Sequence, residues 1–298
     1  MTVKRQAVYT GHQAAIYALL PHENSILTGG GEGYIAAWQP LQNTDAQLVA
    51  QVPEAIFCLC FAAKFLLAGG INGNLYVIDI ETKRIVKNII HHQKGLFAAQ
   101  YDSETNQFIS AGGDGRLTFW DTNNWLPTET LQLSAKSLRC FERSRHATMA
   151  AIGDSLGRIF IVDTAKKTIR NVLINTHLPS VFVVRFSPCG NYLFSGGRDA
   201  CLKIWDINDN FSCTDTISAH LATINDLQFS PNGEYFATAS RDKTIKLWET
   251  KTHSLLKVID LFRFGSHKNS VNRIVWQGNQ TLFSVSDDRT LCCWSIEV

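Results

Sequence analysis

Short runs in which apolar and polar residues alternate occur along the whole chain, a pattern typical of strands with one buried face. Residues 220–249 show it clearly, since two alternating runs there are separated by the sequence Ser-Pro-Asn-Gly. Proline followed by glycine at these positions favours a tight turn, and residues 186–197 repeat the same arrangement. The pattern therefore predicts short strands joined by tight turns.

The segment 237–249, which contains a tryptophan near its end, has counterparts throughout the chain, and the whole unit occurs seven times. Successive units are 40, 42, 42, 43, 43 and 46 residues apart, so the seven copies account for the entire length. Two copies are degenerate, because isoleucine or valine replaces the tryptophan. The equivalent positions are Trp38, Ile78, Trp120, Val162, Trp205, Trp248 and Trp294.

A period in the low forties, four short strands per unit and a terminal Trp-Asp resemble the WD-repeat (WD40) β-propeller family. The resemblance covers essentially all 298 residues and implies an all-β fold, a single seven-bladed propeller with four-stranded antiparallel blades. The last unit ends after its third strand, so we expect an N-terminal strand at 4–10 to close the last blade. One domain, 1–298, is expected, with approximate blades at 11–53, 54–91, 92–134, 135–176, 177–219, 220–266 and 267–298.

A histidine, a hydroxyl, an acid and a tryptophan recur together, and the resemblance implies a hydrogen-bonded structural tetrad in each blade that has them. Where the histidine and tryptophan are missing, Ala68 or Ile152 replaces the hydroxyl, and we expect apolar packing to hold those two blades. A catalytic Ser-His-Asp triad would occur once, so five copies at a fixed period indicate scaffold. The sets are His12, Thr28, Glu32, Trp38; His92, Ser110, Asp114, Trp120; His177, Ser195, Asp199, Trp205; His220, Thr238, Asp242, Trp248; and His267, Ser284, Asp288, Trp294.

The sequence contains no nucleophile elbow, P-loop, H-E-x-x-H or C-x-x-C motif, and its eight cysteines lack metal-ligand spacing. We therefore expect no enzymatic activity, no cofactor and no metal. The net charge of +2 gives no general attraction to nucleic acid or membranes. The longest apolar run, 55–70, is too short to span a bilayer, and the chain begins without a secretory signal pattern. Cysteine usage favours a reducing compartment, hence the cytoplasm, or the nucleus in a eukaryote.

The resemblance also implies that the residue after the first apolar position of each innermost strand points toward the central opening. Several of these residues are aromatic, and aromatic and arginine side chains are enriched at binding hot spots. The position before each turn acid lies on the same top face, and it holds Arg198 and Arg241 in neighbouring blades. We predict a top-face site for a peptide segment with apolar and acidic residues, although ordinary exposed charges would explain the arginines too. The central positions are Tyr17, Phe57, Phe97, Arg139, Phe182, Asn225 and Asn272.

The function that these patterns favour is a non-catalytic protein–protein interaction scaffold or adaptor. One alternative is a constitutive structural subunit that uses the blade sides, and a less favoured one is an RNA-associated propeller, because Arg139, Arg198 and Arg241 share a face. The sequence leaves self-association open. It also leaves open whether Trp125 and the inserted residues Phe262 and Phe264 are packed or presented to a partner.

Overall fold

The structure is a computed structural model that describes residues 1–40 and 46–297. The predicted first blade, 11–53, includes residues 41–45, which lie outside the described residues, as does residue 298 at the end of the last predicted blade. The described strands form seven separate four-stranded antiparallel sheets, and each sheet is one blade of a ring.

The chain starts with β1 (Thr2–Thr10), and the blades follow in chain order. Blade 1 contains β2 (Ile16–His22), β3 (Ser25–Gly30), β4 (Tyr34–Trp38) and β5 (Gln47–Gln51). Blade 2 contains β6 (Ile56–Ala62), β7 (Phe65–Gly70), β8 (Asn74–Asp79) and β9 (Arg84–Ile90). Blade 3 contains β10 (Leu96–Asp102), β11 (Gln107–Gly112), β12 (Arg116–Asp121) and β13 (Leu126–Gln132).

Blade 4 contains β14 (Leu138–Arg143), β15 (Met149–Asp154), β16 (Ile159–Asp163) and β17 (Thr168–Leu173). Blade 5 contains β18 (Val181–Phe186), β19 (Tyr192–Gly197), β20 (Cys201–Asp206) and β21 (Ser212–Ser218). Blade 6 contains β22 (Ile224–Phe229), β23 (Tyr235–Ser240), β24 (Ile245–Glu249) and β25 (Leu255–Ile259). Blade 7 contains β26 (Val271–Gln277), β27 (Thr281–Ser286), β28 (Thr290–Glu297) and β1.

Blade 7 closes the ring, because its outermost strand comes from the other end of the chain. β1 pairs antiparallel with β28, and Val3 lies opposite Ile296 in the register. This confirms the prediction of an N-terminal closing strand, which begins at Thr2 rather than at residue 4. Closure of this kind ties both chain ends into one sheet and leaves no unfinished blade.

Apolar side chains fill the spaces between neighbouring blades. Phe194 of blade 5 packs edge-on against Phe236 of blade 6, with ring centroids 5.4 Å apart, and Phe236 stacks on Trp248. The blades approach so closely that a Cβ at Gly196 would lie 2.8 Å from a methyl group of Ile224. Glycine is therefore required at the end of this second strand, and burial of these apolar surfaces supplies much of the stability.

The innermost strand of every blade contains the same irregularity. The pairing register shifts across the second residue of each of these strands, for example between Ile16 and Ala18 and between Leu96 and Ala98. A β-bulge bends the strand and re-aims one side chain. The residue at the bulge is the one that the family resemblance implied at the central opening, such as Tyr17 or Phe97.

The turns between the second and third strands of each blade, together with the loops that join blades, lie at one end of the ring, which we call the top face. The described residues contain one short helix, α1 (Leu261–Phe264), in the loop between blades 6 and 7. Asp260 caps its start, and Gly265 ends it at φ 63°. No helix among the residues that the structure describes is long and apolar enough to cross a membrane.

Candidate interaction site

The five predicted tetrads each form a connected set of hydrogen bonds. The tryptophan Nε1 lies 2.8–2.9 Å from the hydroxyl oxygen, to which it donates. The same hydroxyl lies 2.7–2.8 Å from the histidine Nε2. The histidine Nδ1 contacts Glu32 in blade 1, and in the other four sets it lies 2.9–3.1 Å from an aspartate. The hydroxyl, the histidine and the acid of each tetrad thus satisfy one another's hydrogen bonds inside these five blades.

Blades 2 and 4 correct one expectation, because both contain polar networks of their own. In blade 2, Glu54 is buried and accepts hydrogen bonds from the Tyr76 hydroxyl at 2.8 Å and from the Asn74 side chain at 2.5 Å. In blade 4, Arg158 pairs with the fully buried Asp154 at 2.6 Å. The prediction that these blades rely on apolar packing was wrong, since the buried carboxylates Glu54 and Asp154 occupy positions different from that of the tetrad acid.

The seven predicted central positions come together around one cavity of about 150 Å³ on the top face, which we call the central cleft. One side of the cleft is aromatic: Tyr17 and Phe57 have ring centroids 5.0 Å apart, and Phe57 and Phe97 are 5.2 Å apart. Each ring belongs to a different blade, so the aromatic wall exists only when blades 1, 2 and 3 are packed together. The lining consists of Tyr17, Phe57, Phe97, Arg139, Phe182, Asn225, Asn272 and Arg273.

The guanidinium of Arg139, in blade 4, lies between two aromatic rings from the flanking blades 3 and 5. Its Cζ is 4.7 Å from the centroid of Phe97 and 5.9 Å from that of Phe182, both within cation–π range. Its Nε donates to the Ser155 hydroxyl at 3.0 Å. Burial lowers the pKa of Arg139, although a guanidinium stays protonated in proteins. No carboxylate among the described residues forms a salt bridge with Arg139, so the cleft holds an uncompensated positive charge.

The opposite side of the cleft is polar and hydrogen-bonded. The Asn225 side chain donates to the Val271 carbonyl at 2.8 Å, and the Asn272 side chain donates to the Ile16 carbonyl at 2.9 Å. Asn272 also donates to Asp287 at 2.8 Å. These bonds join blades 6, 7 and 1, so this side of the cleft is held in place before any ligand arrives.

Arg273 is the lining residue that the sequence argument missed. It follows the predicted position Asn272 directly, and its guanidinium donates to the Asn225 carbonyl at 3.1 Å. A residue beside a bulge does not follow simple alternation, and no pattern in the sequence singled it out. Below the cleft, Arg185 lines the central channel of the ring. It pairs with Asp226 at 3.2 Å and with Glu142 at 3.3 Å, and these carboxylates compensate its charge.

The structure does not bring Arg198 and Arg241 into the central cleft. Both lie on the top face, where their backbone amides donate to the carbonyls of Ser180 and Thr223 at 2.9 Å. Their side chains are exposed and lie outside the set that lines the cleft. The predicted site residues therefore fall into two groups, a central cleft and two outer arginines.

The aromatic residues that the sequence left undecided have different environments. Trp125 is buried and contacts Phe65 and Phe108 in edge-on geometry, so it belongs to the core. Phe264 packs against the apolar core of blades 6 and 7, with Lys257 over its ring. Phe262 is 97% exposed on the short helix.

Within residues 1–40 and 46–297, no group of three or more His, Cys, Asp or Glu side chains is placed to bind a metal ion. All eight cysteines are free thiols, and burial raises the pKa of Cys58 and Cys140 to about 12. These thiols are neutral at physiological pH, so their presence along the channel does not indicate a nucleophile.

Comparison with known proteins shows which repeats and which fold this chain shares with others. The model of the WD domain, G-beta repeat (WD40), matches residues 168–206, 211–249 and 259–295. The crystal structure of the WD40 β-propeller domain of Doa1 superposes with a TM-score of 0.86 over 99% of this chain and 97% of that chain, at 16% identity. At this identity the likeness establishes the fold alone.

Two curated proteins show how far the sequence similarity extends. The chain is 25% identical over 219 residues to human echinoderm microtubule-associated protein-like 1, a match of 68% of this chain and 25% of that protein. It is 24% identical over 206 residues to the meiotic recombination protein rec14 of Schizosaccharomyces pombe, a match of 66% of this chain and 67% of that protein. The chain thus spans about a quarter of the length of the first relative. The second half of this chain therefore contains repeats that match the WD40 family model, and the chain has the seven-bladed fold of a WD40 β-propeller domain.

Proposed function

We propose that this protein is a non-catalytic interaction scaffold whose central cleft binds a partner segment with an acidic group and apolar neighbours. WD40 propellers typically bind other proteins, and relatives include a microtubule-associated protein. The uncompensated charge of Arg139 between Phe97 and Phe182 is the observation that carries the proposal. The free thiols support the accompanying proposal of a cytoplasmic location.

The chemistry of the cleft favours a carboxylate over a cationic group. An incoming carboxylate would pair with Arg139, and the faces of Phe57 and Phe182 would take its apolar neighbours. Arg273 adds a second positive charge to the lining, and none of the eight lining residues is acidic. The carboxylate of Asp287 accepts a hydrogen bond from Asn272. A lysine or methyl-lysine would meet like charges there, despite the aromatic wall.

The test is selection of a phage-displayed library of random linear peptides on the immobilised protein, followed by calorimetry with the synthetic consensus peptide. We expect an acidic residue flanked by apolar residues in the consensus. Arg139→Met keeps most of the side-chain volume but removes the charge, and we expect it to weaken binding about tenfold or more.

Arg145→Met is the matched control, because Arg145 lies in the loop between the first two strands of the same blade, at the opposite end of the ring. It should bind the peptide as the wild type does, and both variants must show wild-type thermal unfolding. A consensus without acidic residues, or equal affinity for Arg139→Met and wild type, would overturn the proposal.

A further inference from the structure

Blades 5 and 6 depart together from the other blades at two positions on the top face. The first is the residue directly after the tetrad histidine, which is Leu178 in blade 5 and Leu221 in blade 6. These side chains are 74% and 94% exposed. In the other three tetrad blades the position holds Gln13, Gln93 or Lys268. Two exposed leucines in adjacent blades contribute little to the core, so the fold does not explain them.

The second position is the residue before the turn acid, and it is arginine in the same two blades. Arg198 and Arg241 are exposed, and neither forms a salt bridge with any residue that the structure describes. In the other five blades the position holds Gly31, Ile71, Gly113, Ser155 or Asp287. Because the blades are built alike, those five serve as internal controls for this comparison.

The backbone brings each leucine next to its arginine. The amide of Leu178 donates to Asp199 at 3.1 Å, and Arg198 is the residue before that aspartate. The amide of Leu221 donates to Asp242 at 3.0 Å in the same way. Both carboxylates also bond to their tetrad histidines, so the side chains left facing solvent are leucine and arginine.

These four residues, Leu178, Arg198, Leu221 and Arg241, form what we call the outer strip, which is continuous with the central cleft. The amide of Arg198 bonds to the carbonyl of Ser180, two residues before Phe182 of the cleft. The amide of Arg241 likewise bonds to Thr223, two residues before Asn225. A segment that leaves the cleft over blades 5 and 6 would therefore pass the strip next.

We infer that the outer strip binds the continuation of the partner segment and selects a second acidic and apolar stretch outside the one held in the cleft. This inference rests on the proposed function of the cleft. Two unpaired arginines complement carboxylates, and the exposed leucines complement apolar side chains beside them. The strip thus determines the direction in which the segment crosses the top face.

The experiment compares a long peptide with its short core. The long peptide comes from a second display library, in which the cleft consensus is held constant and both flanks are randomised. Leu178→Gln/Leu221→Gln introduces the residue found in blades 1 and 3, and Arg198→Glu/Arg241→Glu reverses the charge. We expect each double variant to weaken the long peptide about tenfold and to leave the short core peptide unaffected.

Charge exchange makes the test specific. A long peptide whose flanking acids are replaced by lysine should bind Arg198→Glu/Arg241→Glu better than it binds the wild type. Lys268→Glu, at the equivalent of the leucine position in blade 7, is the control and should change neither affinity appreciably.

The outcomes separate the two proposals. If the strip variants bind the long peptide as the wild type does while Arg139→Met loses it, the strip inference is wrong and the proposed function stands. If the libraries yield no cleft-binding peptide, both fail. Tight binding of a labelled single-stranded RNA that Arg198→Glu/Arg241→Glu abolishes would overturn the inference in favour of a phosphate-binding strip.

Discussion

Blades 2 and 3 are neighbours with the same four-stranded sheet, but they bury different polar groups in the same region. In blade 3, His92 connects Asp114 to Ser110. In blade 2, the carboxylate of Glu54 accepts hydrogen bonds from the Tyr76 hydroxyl and from the backbone amide of Asn72. Blade 4 shows a third solution, an ion pair between the buried Asp154 and the partly exposed Arg158. The requirement common to all is that buried polar groups have partners, and several residue sets can meet it.

The difference also shows what each network depends on. A tetrad uses one hydroxyl that bonds to both a histidine and a tryptophan, so removal of that hydroxyl breaks two bonds. The network of blade 2 depends on one carboxylate with several donors. Acidification and substitutions that act on these shared groups should therefore lower the free energy of unfolding by unequal amounts.

Acidification should have the largest effect, since it acts on several tetrads together. Although burial opposes the shift, hydrogen bonds from His220, the Thr244 hydroxyl and the Leu221 amide hold the pKa of Asp242 below its usual range. The pKa values of the aspartates in blades 3, 5 and 7 are lowered similarly. Such carboxylates contribute stability above about pH 4, the unfolded-state pKa, and lose it progressively as the pH falls toward the folded-state pKa.

Urea unfolding at pH 7, 5, 4 and 3 measures this loss. The free energy of unfolding should fall most steeply below about pH 4, and Asp242→Asn should have a shallower pH dependence than the wild type. A wild-type stability that stays constant down to pH 3 would contradict the assignment of charged, bonded carboxylates to the tetrads.

Glu54→Ala should be the most destabilising single substitution among those that distinguish the blades. It leaves the Tyr76 hydroxyl, the Asn74 side chain and the Asn72 amide without their acceptor, and we expect a loss of about 4 kcal/mol. Burial and the neighbouring Glu54 raise the pKa of Tyr76 to about 12, so this phenol is a neutral donor. Denaturant unfolding measures the loss, and Glu81→Ala, an exposed glutamate of the same blade, is the control. Equal stability of the two variants would show that blade 2 depends on apolar packing after all.

Thr238→Val tests the shared hydroxyl of a tetrad with little change of shape. Valine deprives the Trp248 Nε1 donor and the His220 Nε2 acceptor of their common partner, and we expect a loss of about 2 kcal/mol. Thr238→Ser keeps the hydroxyl, as blades 3, 5 and 7 do, and should lose less than about 1 kcal/mol. If valine and serine destabilise equally, the hydroxyl is not the critical group.

Arg158→Met should have the smallest effect of the three substitutions, about 1 kcal/mol in thermal or denaturant unfolding. Arg158 donates to Asp154 and Ser134, but Asp154 keeps hydrogen bonds from Ser134 and the Leu156 amide. Arg158 is also partly exposed, so water can reach the vacated space. Arg158→Lys should recover part of the loss, and a loss larger than that of Glu54→Ala would reverse the proposed ranking of the two networks.

Much of the fold was predictable because it repeats. Seven copies of one unit, with Trp205 and Trp248 one period apart, indicate both the number of blades and the register of the tetrads. The missing fourth strand of the last unit predicted closure by the N-terminal strand. The WD40 resemblance implied which position of a blade points toward the central opening, and the period then identified Phe97 and Phe182 as two of these residues.

What does not repeat was missed or left open. Glu54 and Asp154 lie outside the tetrad register, so the pattern predicted no polar network in blades 2 and 4. The burial of Trp125 and the exposure of Phe262 depend on packing between elements that are distant in sequence, which alternation does not report.

The sequence by itself determined the repeat, the all-β architecture and which residue of each blade occupies each equivalent position. Only the tertiary structure decided how the blades combine. Arg139 lies between rings from blades 3 and 5, the strip of leucine and arginine extends the cleft across blades 5 and 6, and Arg273 joins the lining. The physical reason is that a period describes one blade, whereas charge compensation and exposure are properties of contacts between blades.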